Sequence, residues 1–167
     1  MPDAVVNVRP ATHNDFAALA ALLSDFAAQH NRWQPSLFRP TVSGFTEAIF
    51  QTWLVEPDAL HLVAETGGEV VGYASAFRGA GHASDFTYPR RNVYVGIIGV
   101  AADRRRAGVG RALFRSIETW AEEYGAEHIG LNVNTQNERA KAFYAALSYQ
   151  PTSEFWSKTL RQIKRMN

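Results

Sequence analysis

Apolar residues in the first third of the chain recur every three or four positions, the spacing of a helix that buries one face. The stripe begins at Phe16 and extends to Phe26. Thr12 and Asp15 precede it with the spacing of a capping box, in which a hydroxyl and a later acid satisfy the first amides of a helix. The pattern therefore predicts a first helix that ends near His30.

A shorter stripe from Phe45 to Trp53 predicts a second helix, which must end before Pro57. Beyond it the pattern changes to runs of β-branched and apolar residues, which are typical of strands. Two of these runs are joined by Gly67 and Gly68, a strong signal for a tight hairpin. The predicted strands cover residues 5–8, 60–66, 70–77, 92–100, 129–133 and 155–160.

Two further helices are predicted, one between Gly110 and Gly125 and one over residues 140–147. The predicted order is strand, two helices, three strands, helix, strand, helix, strand. Because antiparallel hairpins come first and strand–helix–strand units come later, we expect an α+β (mixed α/β) fold. No repeat, low-complexity segment or linker divides the chain, so we expect one domain over residues 1–167.

Composition narrows the classes of function. The 167 residues are 46% hydrophobic and 20% charged, with a net charge of +1, which is ordinary for a globular domain. Proteins that coat nucleic acid present a basic face, which this charge does not support. The chain has no cysteine, and this excludes disulfides, thiolate metal sites and a cysteine nucleophile. It has no signal-peptide pattern and no apolar run near the roughly 20 residues that cross a bilayer. We therefore expect a cytoplasmic protein without a nucleic-acid, membrane or metal partner.

The segment after the fourth predicted strand carries the candidate chemistry. A basic loop with two glycines, Gly108 and Gly110, leads there into an amphipathic helix. The first N–H groups of a helix lack internal partners, glycine lets the backbone approach an anion, and arginine supplies paired donors for phosphate oxygens. The loop is therefore predicted to bind a diphosphate. Arg111 and Ala112 break the P-loop pattern, and Leu113 breaks the dinucleotide fingerprint.

The loop instead resembles the coenzyme A loop of the GNAT acetyltransferases, Gln/Arg-x-x-Gly-x-Gly/Ala. Residues 105–110 match it at every fixed position, and the strand before them resembles the family's fourth strand. The resemblance implies a central twisted mixed sheet of six to seven strands flanked by about four helices, with acetyl-CoA held at this loop. The implied coenzyme contacts are Ile98, Gly99, Val100, Arg105, Arg106, Ala107, Gly108, Val109, Gly110 and Arg111.

Glycines inside the fourth strand add to this resemblance. Gly96 and Gly99 predict a bulge or a close approach of backbone, since glycine otherwise weakens a strand. In the family, the central strands splay apart and the pantetheine arm of the coenzyme pairs with strand backbone between them. The resemblance therefore implies that backbone N–H groups near Ile98 to Val100 stabilise the oxyanion of the reaction.

A second segment, residues 137–149, resembles the family's Asn-x-x-Ala-x-x-x-Tyr-x-x-x-Gly-Phe sequence. The resemblance implies that Asn137 contacts the pantetheine arm and that Tyr144 protonates the departing thiolate as general acid. Asn137 also occupies the position of a helix N-cap, and a core-packing role for Tyr144 stays open. Ser148 stands where the family has glycine, which predicts an unusual backbone conformation there if that site requires positive φ.

The resemblance implies direct transfer of the acetyl group from acetyl-CoA to a neutral primary amine, yet the general base is missing from its usual place. Many relatives carry a glutamate on the fourth strand, and residues 94–98 contain no acid. His82 and Asp85, in the loop before that strand, are the first candidates, and His30 is the next. A water chain, or an amine that arrives neutral, is an equal alternative.

The acceptor stays open among small amines, amino-acid derivatives and peptide N-termini, and the donor could be acetyl or a longer acyl group. The resemblance assigns the acceptor wall to the first two helices and the loop after the hairpin, where aromatic residues are frequent. The candidate acceptor contacts are Phe26, His30, Trp33 and Tyr94, with Phe38, Phe86 and Tyr88 beside them. Dimerisation is common in such domains, so a homodimer is compatible with the resemblance, although no residue specifies it.

Two alternatives come from other classes of protein. A non-catalytic acyl-CoA-binding or regulatory module would keep the glycine loop and lack the base, but Asn137 and Tyr144 argue against it. A nucleotide or nucleic-acid binder would use the arginines at 104–106, but the near-neutral net charge argues against it.

Overall fold

The structure is a computed structural model that describes residues 5–80, 88–158 and 160. The chain divides into two compact units, Met1–Asn132 and Val133–Asn167. The helices and strands in chain order are β1 (Asn7–Pro10), α1 (Phe16–Trp33), α2 (Glu47–Leu54), β2 (Ala59–Thr66), β3 (Glu69–Ala80), β4 (Arg91–Val100), α3 (Val109–Tyr124), β5 (His128–Leu131) and α4 (Glu138–Ala145). Short 3₁₀ helices precede α1 and α3, at His13–Asp15 and Ala102–Arg104.

One sheet with the strand order β1-β2-β3-β4-β5 forms the frame of the first unit. The first four strands pair antiparallel, and β5 pairs parallel with β4 after the α3 crossover. Gly67 and Gly68 turn the β2–β3 hairpin at φ values of 60° and 81°, the positive values that a tight hairpin turn requires. The predicted mixed α+β fold is therefore confirmed.

The predicted number of strands was too high. Five strands are present among the described residues, and the strand expected over residues 155–160 is not formed in its described part. Phe155 and Trp156 are 94% and 85% exposed. Their apolar, β-favouring side chains suggested a strand, but a strand also needs a neighbour for its backbone groups. The described part of the second unit contains no other strand that could serve.

Helices cover both faces of the sheet. On one face, α1 and α2 bury a core that contains Leu19, Phe50 and Tyr73. On the other face, α3 packs so close to β3 that a Cβ at Gly72 would lie 2.8 Å from the Val109 side chain. Neighbouring strand residues point to opposite faces, which is why Tyr73 and Gly72 meet different helices. The predicted apolar stripe of α3 is buried at Leu113, Phe114, Ile117 and Ala121.

An ion-paired cluster ties β1 to the start of α1 and to β2. Arg9 donates two hydrogen bonds of 2.8 Å to the carboxylate of Asp15 and two more to the carboxylate of Glu65. The Thr12 N–H donates to the same Asp15 carboxylate at 2.7 Å, which confirms the predicted capping box. Asp15 is only 5% exposed, and the hydrogen bonds from Arg9 lower its pKa to about 2.

Replacing Asp15 by Asn should therefore flatten the acid dependence of stability. The folded-state pKa of about 2 lies below the ordinary 3.8, so the unfolded chain binds this proton more tightly than the folded one. The stabilisation is complete above about pH 5 and falls by about 2 kcal/mol as the pH drops to about 2. Urea unfolding across this range should show that the wild type loses about 2 kcal/mol more than Asp15→Asn.

Asp103→Asn is the matched control for that measurement. The Asp103 side chain is 74% exposed and makes one ion pair of 3.6 Å, with Arg104. A surface pair of this kind contributes little, so this variant should keep the wild-type acid dependence. Equal pH slopes for all three proteins would show that the Arg9 cluster contributes nothing.

The helix α4 ends in a turn that usually contains glycine. Tyr149 N–H donates to the Tyr144 carbonyl and Ser148 N–H donates to the Ala145 carbonyl, the two bonds of a Schellman motif. Ser148 has a φ of 67°, so the unusual backbone conformation expected at this serine is confirmed. A side chain in this left-handed region costs about 1 kcal/mol.

Ser148→Gly should consequently stabilise α4 by about 1 kcal/mol, because glycine adopts positive φ without the penalty of a Cβ. Gly125 ends α3 at a φ of 71°, so Gly125→Ser is the mirror-image control and should destabilise α3 by a similar amount. Amide hydrogen exchange measures the local stability of α3 and of α4 separately. Slower exchange in α4 together with faster exchange in α3 is expected, and unchanged exchange in both would contradict it.

Candidate functional site

A bulge interrupts β4 at Gly96. The register with β3 passes from Ala76↔Val95 to Ser75↔Ile97, so Gly96 is the extra residue. A Cβ there would lie 2.8 Å from the Phe77 ring and 3.2 Å from the Ser75 hydroxyl, which only glycine tolerates. The predicted bulge is confirmed at Gly96. Gly99 shows no such requirement, because a Cβ there would meet no atom of the described chain within 4 Å.

Beyond the bulge, β4 has a partner on only one side among the described residues. Its parallel pairing with β5 covers Asn92 to Val95 and stops at Leu131. Ala101 N–H donates to Val71 on β3, and antiparallel pairs alternate, so the N–H and C=O of Ile98 point away from β3. Ile98 N–H therefore faces the open edge of β4, where strand-like backbone could pair.

The predicted glycine loop connects this open edge to α3. Arg106 and Gly108 both have positive φ, at 64° and 80°, and α3 begins at Val109. Ala112 N–H is the first amide to bond back, to the Gly108 carbonyl at 3.0 Å. The amides of Val109, Gly110 and Arg111 make no hydrogen bond within the part of the chain that the structure describes. A helix end with free amides of this kind can bind an anion.

The arginines of the loop divide into two kinds. Arg105 donates from Nε to the Val100 carbonyl at 3.1 Å and so ties the loop to the end of β4. Arg104 pairs with Glu69 and Asp103 on the surface. Arg106 and Arg111, at the helix end, have no ion pair among the described residues and could receive phosphate oxygens.

In the second unit, Asn137 caps α4. Its side-chain Oδ1 accepts a hydrogen bond from Ala140 N–H at 3.1 Å, which confirms the predicted N-cap role. Its side-chain amide nitrogen makes no hydrogen bond to any described residue. A second contact through that nitrogen is compatible with the cap.

Tyr144 lies in the middle of α4 and is half-buried. Its ring centroid is 5.5 Å from that of Phe143 and 6.3 Å from that of Tyr149. Burial raises the pKa of Tyr144 to about 12, so the hydroxyl keeps its proton throughout the neutral range. A proton donor is what the resemblance assigns to this position.

Four of the predicted acceptor-side residues form one aromatic cluster at the end of α1. The His30 ring stacks on Phe26 at 3.9 Å and contacts Trp33 at 5.2 Å and Phe38 at 4.9 Å. His30 Nδ1 lies 2.9 Å from the Phe26 carbonyl, which can only accept, so Nδ1 carries the proton and neutral His30 keeps a lone pair on Nε2. Tyr94 lies opposite Phe77 on β4 and is 43% exposed.

The remaining predicted residues are of less help to this site. His82, Asp85 and Phe86 lie outside the described residues. Tyr88 is 82% exposed. Within residues 5–80, 88–158 and 160, no three metal-binding side chains are grouped to hold an ion, and no helix is long and apolar enough to cross a membrane.

Sequence reasoning missed a buried polar pair on β2 and β3. His61 is 7% exposed, and its Nδ1 lies 2.7 Å from the hydroxyl of Tyr73, which is 1% exposed. The available signal was a histidine inside an otherwise apolar strand, but the pairing depends on the register between strands. Burial lowers the pKa of His61 and raises that of Tyr73 above its ordinary value, so both groups are neutral at pH 7.

Known proteins share both the sequence pattern and this architecture. The model of the Acetyltransferase (GNAT) family matches residues 20–149. An uncharacterized N-acetyltransferase of Mycobacterium tuberculosis is 28% identical over 108 residues, which cover 65% of this chain and 64% of that protein. A solved mutant of the BH1408 protein from Bacillus halodurans is 24% identical, with a TM-score of 0.87 over 93% of this chain and 99% of that one. An aminoglycoside N-acetyltransferase in complex with CoA is 16% identical, with a TM-score of 0.71 over 97% and 99% of the two chains.

The two structural likenesses show the shared fold, and the curated relative is spanned over less than two thirds of its length. The family assignment rests on the family model, which covers most of the chain, including the glycine loop and the segment from Asn137 to Tyr149. This chain belongs to the acetyltransferase (GNAT) family.

Proposed function

We propose that this protein is an acetyl-CoA-dependent N-acetyltransferase that transfers the acetyl group directly to a primary amine of a small molecule or peptide. The observation that carries the proposal is the open edge of β4 beside the free amides of α3. The edge of β4 offers strand-like backbone to the extended pantetheine arm of the coenzyme. The first amides of α3 offer hydrogen-bond donors to its diphosphate. Both belong to the first unit and are joined by ten residues, 100–109.

The residues present suit coenzyme A. Gly108 at a φ of 80° lets the backbone amides of the loop converge, and a non-glycine residue, Arg106, is also held at positive φ, a strain that clusters at functional sites. The amides at residues 109–111 and the side chains of Arg106 and Arg111 would hold the diphosphate. The backbone of Ile98 and Val100 would pair with the pantetheine arm. The family resemblance adds Asn137 as a further contact to that arm.

In the proposed mechanism the acetyl group passes directly from the thioester to the amine, without an acyl-enzyme intermediate. The amine nitrogen attacks the thioester carbonyl carbon, the oxyanion is stabilised by the Ile98 N–H, and the C–S bond then breaks. Tyr144 gives its proton to the departing thiolate, and a pKa of about 12 guarantees that the proton is there to give. A chain without cysteine has no thiol to form an acyl-enzyme, which supports direct transfer.

We propose His30 as the general base, and its tautomer supports this role. The Nδ1–H bond to Phe26 leaves the Nε2 lone pair of a half-buried imidazole able to accept a proton from the amine. His82 stays an alternative outside the described residues, as does water. A lysine-like amine costs about 4 kcal/mol to neutralise at neutral pH and an α-amine under about 1 kcal/mol, so α-amines are the easier acceptors.

The acceptor wall disfavours polycations. The stretch from Phe26 to Pro40 contains the aromatic cluster and two arginines, and it has no acidic residue. An aminoglycoside would require carboxylates to offset several ammonium groups. We therefore propose amino-acid derivatives and peptide N-termini, rather than aminoglycosides, as the acceptors.

A non-catalytic acyl-CoA-binding module is the second candidate function, because β4 lacks the family's glutamate. Absence of turnover with every amine would favour it.

Titration calorimetry with acetyl-CoA tests the coenzyme site. Gly108→Trp should abolish micromolar binding, because the side chain would fill the space before the α3 amides and strain a positive φ. Gly68→Trp is the matched control, since Gly68 has a φ of 81° and the same open surroundings but lies in the β2–β3 turn. It should keep the wild-type affinity. Equal affinities in all three proteins would place the coenzyme elsewhere, and no binding by folded wild type would overturn the proposal.

Replacing Tyr144 by Phe tests the acid role. A free-thiol assay over a panel of α-amines and alkylamines should show kcat reduced by about 100-fold with acetyl-CoA affinity unchanged, since only the proton donor is removed. Tyr149→Phe, which removes the neighbouring hydroxyl, should retain kcat. Because the Tyr144 pKa is about 12, the wild-type rate should show no loss attributable to this group up to about pH 10. Full activity in Tyr144→Phe would assign it to packing alone.

A further inference from the structure

A chain of buried polar side chains on β2 and β3 lies outside the residues that bind or react in the proposed transfer. It joins His61 on β2 to Tyr73 and Ser75 on β3, which are 7%, 1% and 3% exposed. The His61 Nδ1 is 2.7 Å from the Tyr73 hydroxyl, and the Ser75 hydroxyl, two residues along β3, partly offsets the rise that burial causes in the pKa of Tyr73. At its other end, Ser75 Oγ accepts from the Ile97 N–H at 3.2 Å. The chain therefore ends at the β4 bulge.

The proton positions in this chain follow from one end. Ser75 Oγ accepts from a backbone amide, so its own proton is free to point at the Tyr73 oxygen. The Tyr73 proton then has one acceptor left, the His61 Nδ1, which requires the tautomer protonated at Nε2. That Nε2 is buried and makes no hydrogen bond to protein. The Ile97 N–H and the hydroxyls of Ser75 and Tyr73 thus all donate in the direction from the bulge toward His61.

Aromatic rings hold the far end of the chain in place. The His61 ring stacks parallel to Trp53 at 5.8 Å and to Tyr73 at 6.2 Å, and it meets the edge of Phe77 at 6.0 Å. Such packing leaves the imidazole no second orientation within the core. Phe77 is also the ring that excludes a side chain at Gly96. The Phe77 ring therefore both packs against His61 and leaves no room for a side chain at the bulge residue Gly96.

Ser75 contacts the bulge directly. Its hydroxyl accepts from the Ile97 N–H and lies 3.2 Å from the position that a Cβ on Gly96 would occupy. The next amide, that of Ile98, points to the open edge of β4. We propose that His61, Tyr73 and Ser75 are positioning residues for acetyl transfer: they fix the bulge and so set the direction in which the Ile98 N–H meets the thioester oxygen. This inference rests on the proposed function.

Carbonyl-edited infrared spectroscopy of bound acetyl-CoA, labelled with ¹³C at the thioester carbonyl, tests the inference. In the wild type the hydrogen-bonded carbonyl band should lie below that of free acetyl-CoA. In Ser75→Ala and Tyr73→Phe it should return toward the free position, while calorimetry with CoA, which lacks the acetyl group, shows affinity within about twofold of wild type. Tyr73→Phe removes a single oxygen and keeps the ring packing. This variant therefore tests the role of the buried polar groups even if Ser75→Ala does not fold.

Val63→Ala is the matched control. Val63 is fully buried in the same core cluster but carries no hydrogen bond of the chain, so it should lose stability and keep the wild-type carbonyl band. A band unchanged in Ser75→Ala and Tyr73→Phe, or shifted equally in Val63→Ala, would overturn the positioning role. Failure of the wild type to bind CoA would instead sink the proposed function. In that case the role of the buried polar groups can still be tested by NMR of the free protein. The chemical shift of the Ile97 amide should change in Ser75→Ala and remain at the wild-type value in Val63→Ala.

Discussion

The strand β4 is paired on both sides only as far as Val95, and the proposed site depends on this. In the part of the chain that the structure describes, β5 ends at Leu131, while β4 continues to Val100 with β3 as its one partner. A strand that loses one neighbour presents unpaired backbone groups, which a protein usually covers or blunts. Here the unpaired stretch leads within ten residues to the free amides of α3. One interrupted ladder thus places an open backbone edge close to free helix amides, the two features that the proposed binding of acetyl-CoA requires.

These two features keep a fixed spacing because both are anchored to β3. Ala101 N–H bonds to Val71, and Gly72, the next residue, admits the side chain of Val109 at the start of α3. The helix end therefore cannot shift without disturbing the sheet. A Cβ at Gly72 would push against Val109 at 2.8 Å, so the residue that carries no side chain sets the position of the amides that would bind phosphate.

What the sequence could predict was local. The capping box at Thr12, the turn at Gly67 and Gly68, the bulge at Gly96 and the positive φ at Ser148 each follow from the backbone limits of a few adjacent residues. The glycine loop could be recognised because its function needs particular residues in order. What could not be predicted depends on distant partners. The strand expected from residue 155 found no neighbour, and the pairing of His61 with Tyr73 is set by cross-strand register.

The direction of hydrogen bonds distinguishes His30, the proposed base, from the buried His61. In His30 a backbone carbonyl fixes the proton on Nδ1, so Nε2 of a half-buried ring is an acceptor. In His61 the chain from Ser75 through Tyr73 places a proton donor against Nδ1, so Nε2 is a buried donor. A base must accept a proton where substrate can reach it. The half-buried Nε2 of His30 is compatible with the proposed role as base, whereas the buried Nε2 of His61 is not, and the proposed role of His61 is to position β4.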